Sequence, residues 1–207
     1  MKDMTLINFI LDRSGSMSSF GPEVVSMFNN FLEEQKSGPD YAELSLIQFD
    51  DKYEENYIKK PIKDCQPLIY GESYFPRGWT ALYDAIGRTI KKVVAEIDRL
   101  QDEDRPIRVL FVILTDGFEN CSTEFRDNKT IMGMIDYQKE EYNWDFIFMG
   151  AGIDAIEQGK KFGLGSNKCA SFHKSPTGIR SIGQTVSSYS MQYRTTGMCA
   201  DINNYIK

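Results

Sequence analysis

Two almost continuous apolar runs, residues 4–11 and 107–114, constrain the fold of this chain more than any other feature. A strand with one face in water alternates apolar and polar side chains, whereas a strand buried on both faces is apolar throughout. Strands of the second kind occur in parallel sheets that carry helices on both faces. The two runs therefore predict a sheet of the α/β class.

Helical patterns and further strands alternate with these runs along the chain. The clearest helix is predicted over residues 80–100, where apolar side chains recur at steps of three and four. A first helix is predicted to begin near Pro22 and to end at Gly38-Pro39, and a last helix to begin at Ser175-Pro176. The remaining segments predict helices within 125–142 and over 154–162, and strands over 41–49, 144–149 and 168–172.

Residues 52–69 predict a short antiparallel strand at an edge, because the connection from the preceding strand is too short for a crossover. Together these elements predict an α/β, doubly wound, Rossmann-like sheet that is mostly parallel, with one antiparallel edge strand and helices on both faces. No linker or repeat divides the sequence, so we expect a single domain over residues 1–207.

Charge and composition argue against several classes of protein. With 30 acidic and 24 basic residues the net charge is −6, so neither nucleic acid nor an anionic membrane is an expected partner. The longest apolar stretches are about six residues, whereas a membrane span needs roughly 20, and no export signal is recognisable. The four widely spaced cysteines match no zinc or disulfide pattern, so we expect reduced thiols and a cytoplasmic protein.

Polar residues with oxygen side chains follow the predicted buried strands. Asp12, Ser14 and Ser16 follow the first strand, Asp116 follows the strand over 107–114, and Thr80 precedes the long helix. Ligands of open α/β sheets bind beyond the carboxyl ends of the strands, so these side chains are expected to converge there. A set of oxygen ligands without Cys or His suits Mg²⁺, and also Mn²⁺ or Ca²⁺.

Three motifs in this order resemble the metal-ion-dependent adhesion site of von Willebrand factor A domains. The first is DxSxS at Asp12–Ser16, the second is the segment from Gly78 to Ile86, similar to GxTxLxxAI, and the third is the Thr-Asp-Gly that ends at Gly117. Beyond residue 120 the match is one of architecture alone. Because no extracellular marker is present, the chain most resembles the intracellular members of prokaryotic or phage origin.

The resemblance implies a role for each of these side chains. Ser14 and Ser16 would bind the metal directly, and Thr80, Asp12 and Asp116 directly or through water. A partner protein would complete the shell with an Asp or Glu side chain or a C-terminal carboxylate. We expect a rim around this open position, formed by four residues adjacent to the ligands: Phe20, Trp79, Phe118 and Glu119. Glu119 is also close enough in sequence to fill the open position itself.

The leading interpretation is therefore a metal-dependent protein-binding module, not an enzyme, that serves as a subunit or adaptor of an intracellular complex. Taken singly, the hydroxyl residues are explained by helix N-caps and Asp116 by a turn. The alternative function is a metal-dependent, phosphatase-like hydrolase, but position 14 is Ser where such a site needs a second Asp, and no later Lys is evident. A phosphate-binding GxxxxGK[ST] loop is absent, which argues against a nucleotide switch. We also expect Asp12 and Asp116 to lie on surface loops.

Overall fold

Six strands form one sheet in the order β3-β2-β1-β4-β5-β6. The structure is a computed structural model that describes residues 4–38, 40–199 and 201–206. All neighbouring strands are parallel except β2 and β3, which are antiparallel. This confirms the predicted fold class, including the antiparallel edge strand. The strands are β1 (Met4–Asp12), β2 (Tyr41–Phe49), β3 (Tyr53–Pro61), β4 (Arg108–Thr115), β5 (Asp145–Ala151) and β6 (Cys169–Phe172).

Helices cover both faces of the sheet, which is why its central strands are apolar throughout. On one face Ile7, Phe9 and Leu11 of β1 pack into a core that includes α1 and α5. On the other face Leu6 and Ile10 pack into a core that includes α2, α3 and α4. All nine residues of β1 are buried as a result. The helices are α1 (Gly21–Lys36), α2 (Leu82–Asp98), α3 (Asn128–Tyr142), α4 (Ala155–Lys160) and α5 (Pro176–Thr196).

Helix boundaries follow the predicted signals closely. Helix α1 ends at Lys36, two residues before Gly38, while Pro39 lies outside the described residues. The Ser175 hydroxyl accepts a hydrogen bond from the Gly178 backbone N–H at 3.1 Å, which makes Ser175 the N-cap of α5. Within the part of the chain that the structure describes, none of the helices has the length and apolar character required to cross a bilayer.

A buried arginine joins α5 to the end of α1. The Arg194 side chain is 1% exposed, and its guanidinium donates to the backbone carbonyl oxygens of Gln35, at 2.7 Å, and Asp40, at 2.9 Å. It also forms an ion pair with the Asp40 carboxylate at 3.1 Å. These contacts fix the C-terminal helix against the chain segment that enters β2.

Replacing Arg194 by Met is expected to lower the free energy of unfolding by about 3 kcal/mol, because it leaves buried acceptors without a donor. Urea unfolding of the purified variant measures this loss. Arg180, exposed on the same helix, provides the matched control, and Arg180→Met should stay within about 0.5 kcal/mol of the parent protein. Equal losses in the two variants would contradict the role assigned to Arg194.

Candidate metal centre

The sheet brings the three predicted loops together at its carboxyl edge. Because β1 and β4 are parallel neighbours, the loops that follow Asp12 and Thr115 emerge side by side. Backbone hydrogen bonds attach the third loop to both of them: Gly15 N–H donates to Gly78 O at 3.1 Å, and Asn120 N–H donates to Thr80 O at 3.0 Å. Five candidate ligands from distant parts of the sequence therefore occupy one region.

Asp12 is the innermost of these ligands. It is the last residue of β1 and has no exposed surface. One carboxylate oxygen accepts from the Ser14 backbone N–H at 2.6 Å, and the other accepts from the Thr115 hydroxyl at 2.5 Å. These two donors fix the orientation of the carboxylate, which leaves its remaining lone pairs for other contacts.

Burial perturbs the ionisation of this carboxylate. Loss of hydration raises the pKa of Asp12 from 3.8 to about 6, although the hydrogen bonds from Thr115 and Ser14 act in the opposite direction. The charge of nearby Asp116 raises the pKa further. A cation bound here would stabilise the ionised form that burial disfavours.

The two serines and Asp116 form a continuous chain of oxygen atoms. The Ser14 and Ser16 hydroxyl oxygens are 3.1 Å apart, and Ser16 donates to Asp116 Oδ1 at 2.5 Å. Adjacent ligands of an octahedral Mg²⁺ ion, each about 2.1 Å from the metal, lie about 3 Å apart. The spacing of the serine oxygens therefore suits two neighbouring positions of one metal shell.

Thr80 reaches the same region across Gly117. A Cβ atom at Gly117 would lie 3.2 Å from the Thr80 hydroxyl oxygen and 3.8 Å from the Ser16 hydroxyl oxygen. The glycine therefore leaves open a space that any side chain would enter, directly beside two candidate ligands. Thr80 itself is buried, with only 3% of its surface exposed.

The donor set fits a hard divalent cation. It consists of two carboxylates and three hydroxyls, and oxygen ligands of this kind suit Mg²⁺, Mn²⁺ or Ca²⁺. Among residues 4–38, 40–199 and 201–206, no group of three or more His, Cys, Asp or Glu side chains could hold a metal ion. A site in this chain therefore depends on the hydroxyl groups of Ser14, Ser16 and Thr80.

Two expectations about placement are corrected. Asp12 and Asp116 were expected on surface loops, but Asp12 is the last residue of β1, and the two residues are 0% and 4% exposed. Substitutions at either position therefore alter a buried polar cluster.

The expected rim separates into exposed and enclosed residues. Trp79 is 68% exposed and Phe118 54% exposed, so both present apolar surface close in sequence to the candidate ligands Thr80 and Asp116. Phe20 is 3% exposed and packs in the core, which corrects its assignment to the rim.

The expectation that Glu119 belongs to the rim, or fills the open metal position, is also corrected. Its carboxylate accepts hydrogen bonds from the backbone N–H groups of Tyr83, Cys121 and Ser122, at 2.6–2.9 Å, and from the Ser122 hydroxyl at 2.7 Å. These four donors occupy both carboxylate oxygens. Glu119 therefore holds its own loop against the start of α2 and is not directed at the metal position.

An ammonium group that sequence reasoning missed lies against the site. Lys174, in the loop after β6, forms an ion pair with Asp116 Oδ2 at 2.6 Å. The sequence did indicate this position, because Lys174 closely follows the predicted last strand. A residue there lies at the same sheet edge as the other loops. The apolar pattern of β6 is weak, so the loop that follows it was not considered as part of the site.

A second charged cluster supports the first loop from the side. Arg13 is 2% exposed and donates to the fully buried Asp50 carboxylate at 3.1 Å, and Arg77 donates to the same carboxylate oxygen at 2.9 Å. The Asp50 backbone carbonyl accepts from Ala81 N–H at 2.9 Å. Asp50 therefore joins the loop after β1 to the segment that carries Thr80.

Comparison with solved structures identifies the fold. Proximal thread matrix protein 1 from the mussel byssus is 16% identical, with a TM-score of 0.59 over 91% of this chain and 46% of that chain. The ArnB paralog VWA2 from Sulfolobus acidocaldarius is 18% identical, with a TM-score of 0.56 over 91% of this chain and 45% of that one. This chain thus spans less than half of either protein.

A third structure matches over nearly its full length. The vWF domain of the type V pili tip protein Mfa5 from Porphyromonas gingivalis is 9% identical, with a TM-score of 0.59 over 91% of this chain and 96% of that chain. One structure of the mussel protein has a metal-ion-dependent adhesion site (MIDAS) motif that is occupied by zinc. No protein-family model and no curated protein sequence matches this chain. The likeness is therefore one of structure, and the chain has the fold of a von Willebrand factor A domain.

Proposed function

We propose that this chain is a divalent-metal-dependent protein-binding module with Mg²⁺ as its metal and Mn²⁺ or Ca²⁺ as the alternatives. The observation that carries the proposal is the convergence of Asp12, Ser14, Ser16, Thr80 and Asp116 at the carboxyl edge of the sheet. Two further findings support it: the fold is that of von Willebrand factor A domains, and one protein of this fold has a metal-occupied site of the same motif type.

The bound metal supplies a positive charge that attracts an incoming anionic ligand. Ser14 and Ser16 would hold it through their hydroxyl oxygens, and Thr80 would approach from the opposite loop. Asp12 and Asp116 would balance the charge and orient the neighbouring hydroxyl and water molecules by hydrogen bonds. If the three neutral hydroxyls make the direct contacts and the carboxylates act through water, the ion retains affinity for one directly bound carboxylate.

The partner in this proposal is a protein that presents an Asp or Glu side chain, or a C-terminal carboxylate. Trp79 and Phe118 are close in sequence to the candidate ligands Thr80 and Asp116 and are more than half exposed, and aromatic residues are enriched among the residues that dominate binding energy. They would contact apolar groups that flank the partner's carboxylate. The net charge of −6 argues against nucleic acid and anionic membranes as partners.

The proposal places the chain in the cytoplasm, as a subunit or adaptor of a larger complex. All four cysteines are free thiols, which is the usual state in a reducing compartment. Burial raises the pKa of Cys65 and Cys169 to about 11, so neither thiol is activated as a nucleophile at neutral pH.

The alternative function, a phosphatase-like hydrolase, gains one feature from the structure. Lys174 supplies the charge stabiliser that the sequence had not revealed. The site still has Ser14 where that chemistry needs a second carboxylate, so binding without catalysis remains the proposed function. Turnover of a generic aryl phosphate that depends on Asp12 would favour the alternative.

Added Mg²⁺ is expected to raise the melting temperature of the EDTA-treated protein. A metal at 100 times its dissociation constant contributes ~2.7 kcal/mol, which corresponds to roughly 5–11 °C for a domain of about this size. Asp12→Asn should abolish the shift, and the exposed Asp102→Asn should retain it. Equal shifts in both variants would show that the metal binds elsewhere.

The stability of the metal-free protein is expected to depend on the ionisation of Asp12. Burial raises the pKa of Asp12 from 3.8 to about 6, so the folded state binds this proton more tightly than the unfolded state does. Stability therefore falls as the pH rises from about 4 to about 6, and it stays at the lower level above that range.

Asp12→Asn is neutral at every pH, so the difference in unfolding free energy between this variant and the parent should open over that window. Between pH 4 and neutral pH this difference should change by up to about 3 kcal/mol in the direction that favours the variant. Denaturant unfolding in EDTA between pH 4 and 7 measures it, with Asp102→Asn as the control. A difference that does not change with pH would refute the assignment.

Partner capture is expected to require the metal. Immobilised protein should retain a partner from its native lysate in Mg²⁺ and release it in EDTA. Immobilised Asp12→Asn should retain none under either condition. Capture that is equal with and without EDTA would exclude the metal centre as the recognition surface.

A further inference from the structure

The loop after β6 directs a cation at the candidate metal centre. The Lys174 ammonium is 2.6 Å from Asp116 Oδ2, while the other oxygen of the same carboxylate accepts from Ser16. The Asp116 side chain has no exposed surface, whereas the Lys174 side chain is 37% exposed. The Lys174 side chain therefore remains accessible to solvent while its ammonium group contacts a buried carboxylate.

Two features of the fold shape the path of the Lys174 side chain. Its methylene groups lie against Gly152, which has a positive φ of 64°, and a Cβ there would be 3.0 Å from Lys174 Cε. Its ammonium lies 5.7 Å from the centroid of the Phe20 ring, at cation–π distance. Gly152 leaves room for the methylene groups of Lys174, and the Phe20 ring contacts its ammonium group. Both contacts favour the side-chain conformation that forms the ion pair with Asp116.

This position conflicts with an occupied metal centre. A divalent ion bound beside Asp116 would lie close to the ammonium, and like charges at such short separations repel strongly in a partly buried site. Lys174 and the metal would also both bind the carboxylate of Asp116. Because Lys174 is partly exposed, its head group can move into solvent while the stem remains near Gly152.

We propose that Lys174 is an internal counter-cation that competes with the divalent metal for Asp116 and thereby sets the metal affinity of the site. The inference rests on the proposed function, because it assumes that a metal binds there. In the metal-free protein the ammonium neutralises Asp116 and keeps the ligand loops in place. Metal binding displaces it, so part of the binding free energy is spent on breaking this ion pair.

Calorimetric titration with Mg²⁺ and Mn²⁺, after EDTA treatment, tests the proposal. Lys174→Met should bind both metals about tenfold more tightly than the parent protein, since it removes both the competing charge and the repulsion. Lys174→Arg retains the charge and should stay within about threefold of the parent. Lys63→Met, at an exposed lysine beyond the other end of the sheet, controls for the change in net charge.

Thermal melts provide a second readout. Without metal, Lys174→Met should melt below Lys63→Met, because Asp116 loses its counter-cation. With saturating Mg²⁺ its increase in melting temperature should be the larger of the two. A Lys174→Met variant that matches Lys63→Met in both affinity and melting behaviour would overturn the inference.

The outcomes separate this inference from the proposed function. If Asp12→Asn abolishes metal binding while Lys174→Met behaves as Lys63→Met does, the metal centre stands and the role of Lys174 fails. If neither the parent nor any variant binds a divalent metal, both the metal-dependent function and the role of Lys174 are wrong.

Discussion

The arrangement of the site depends on a carboxylate buried at the end of the central strand β1. Asp12 has no exposed surface, and a buried charge is costly unless neighbouring groups compensate for it. Thr115 can donate to Asp12 only because β4 lies next to β1, and Ser14 donates through its backbone because the chain turns at that point. The order of the strands and the conformation of the loop after β1 therefore act together to bring two hydrogen-bond donors to this buried carboxylate.

Rigid support for the site comes from a second buried charge pair. Arg13 follows Asp12 directly and binds Asp50, whose backbone carbonyl in turn accepts from Ala81, next to Thr80. Asp50 is fully buried and pairs with both Arg13 and Arg77, so the contacts of this cluster favour one arrangement. The backbone next to Thr80 is therefore held by contacts that begin at the residue after Asp12, although 68 positions separate Asp12 and Thr80 in the sequence.

The sequence alone predicted the sheet, and it indicated five candidate ligands, because apolar strands and the polar residues at the ends of elements are local patterns. A strand buried on both faces must be apolar, and oxygen side chains directly after such strands must meet at one edge. Contacts between distant loops carry no such pattern. Phe20 stands next to the ligands in sequence yet packs in the core, and Glu119 binds backbone N–H groups that only the folded loop brings together. Lys174 follows a strand, as several candidate ligands do, but its ion pair with Asp116, 58 positions away, has no local pattern.

The C-terminal third of the chain, which carries none of the three motifs, is nonetheless part of the site. In the sheet order β1-β4-β5-β6, Lys174 follows β6 and reaches past β5 to Asp116 at the end of β4. Gly152, at the end of β5, is the residue over which the lysine stem crosses. The ammonium can reach Asp116 only when β5 and β6 have both joined the sheet. The charge balance at Asp116 therefore depends on β5 and β6, two strands that carry none of the five candidate ligands.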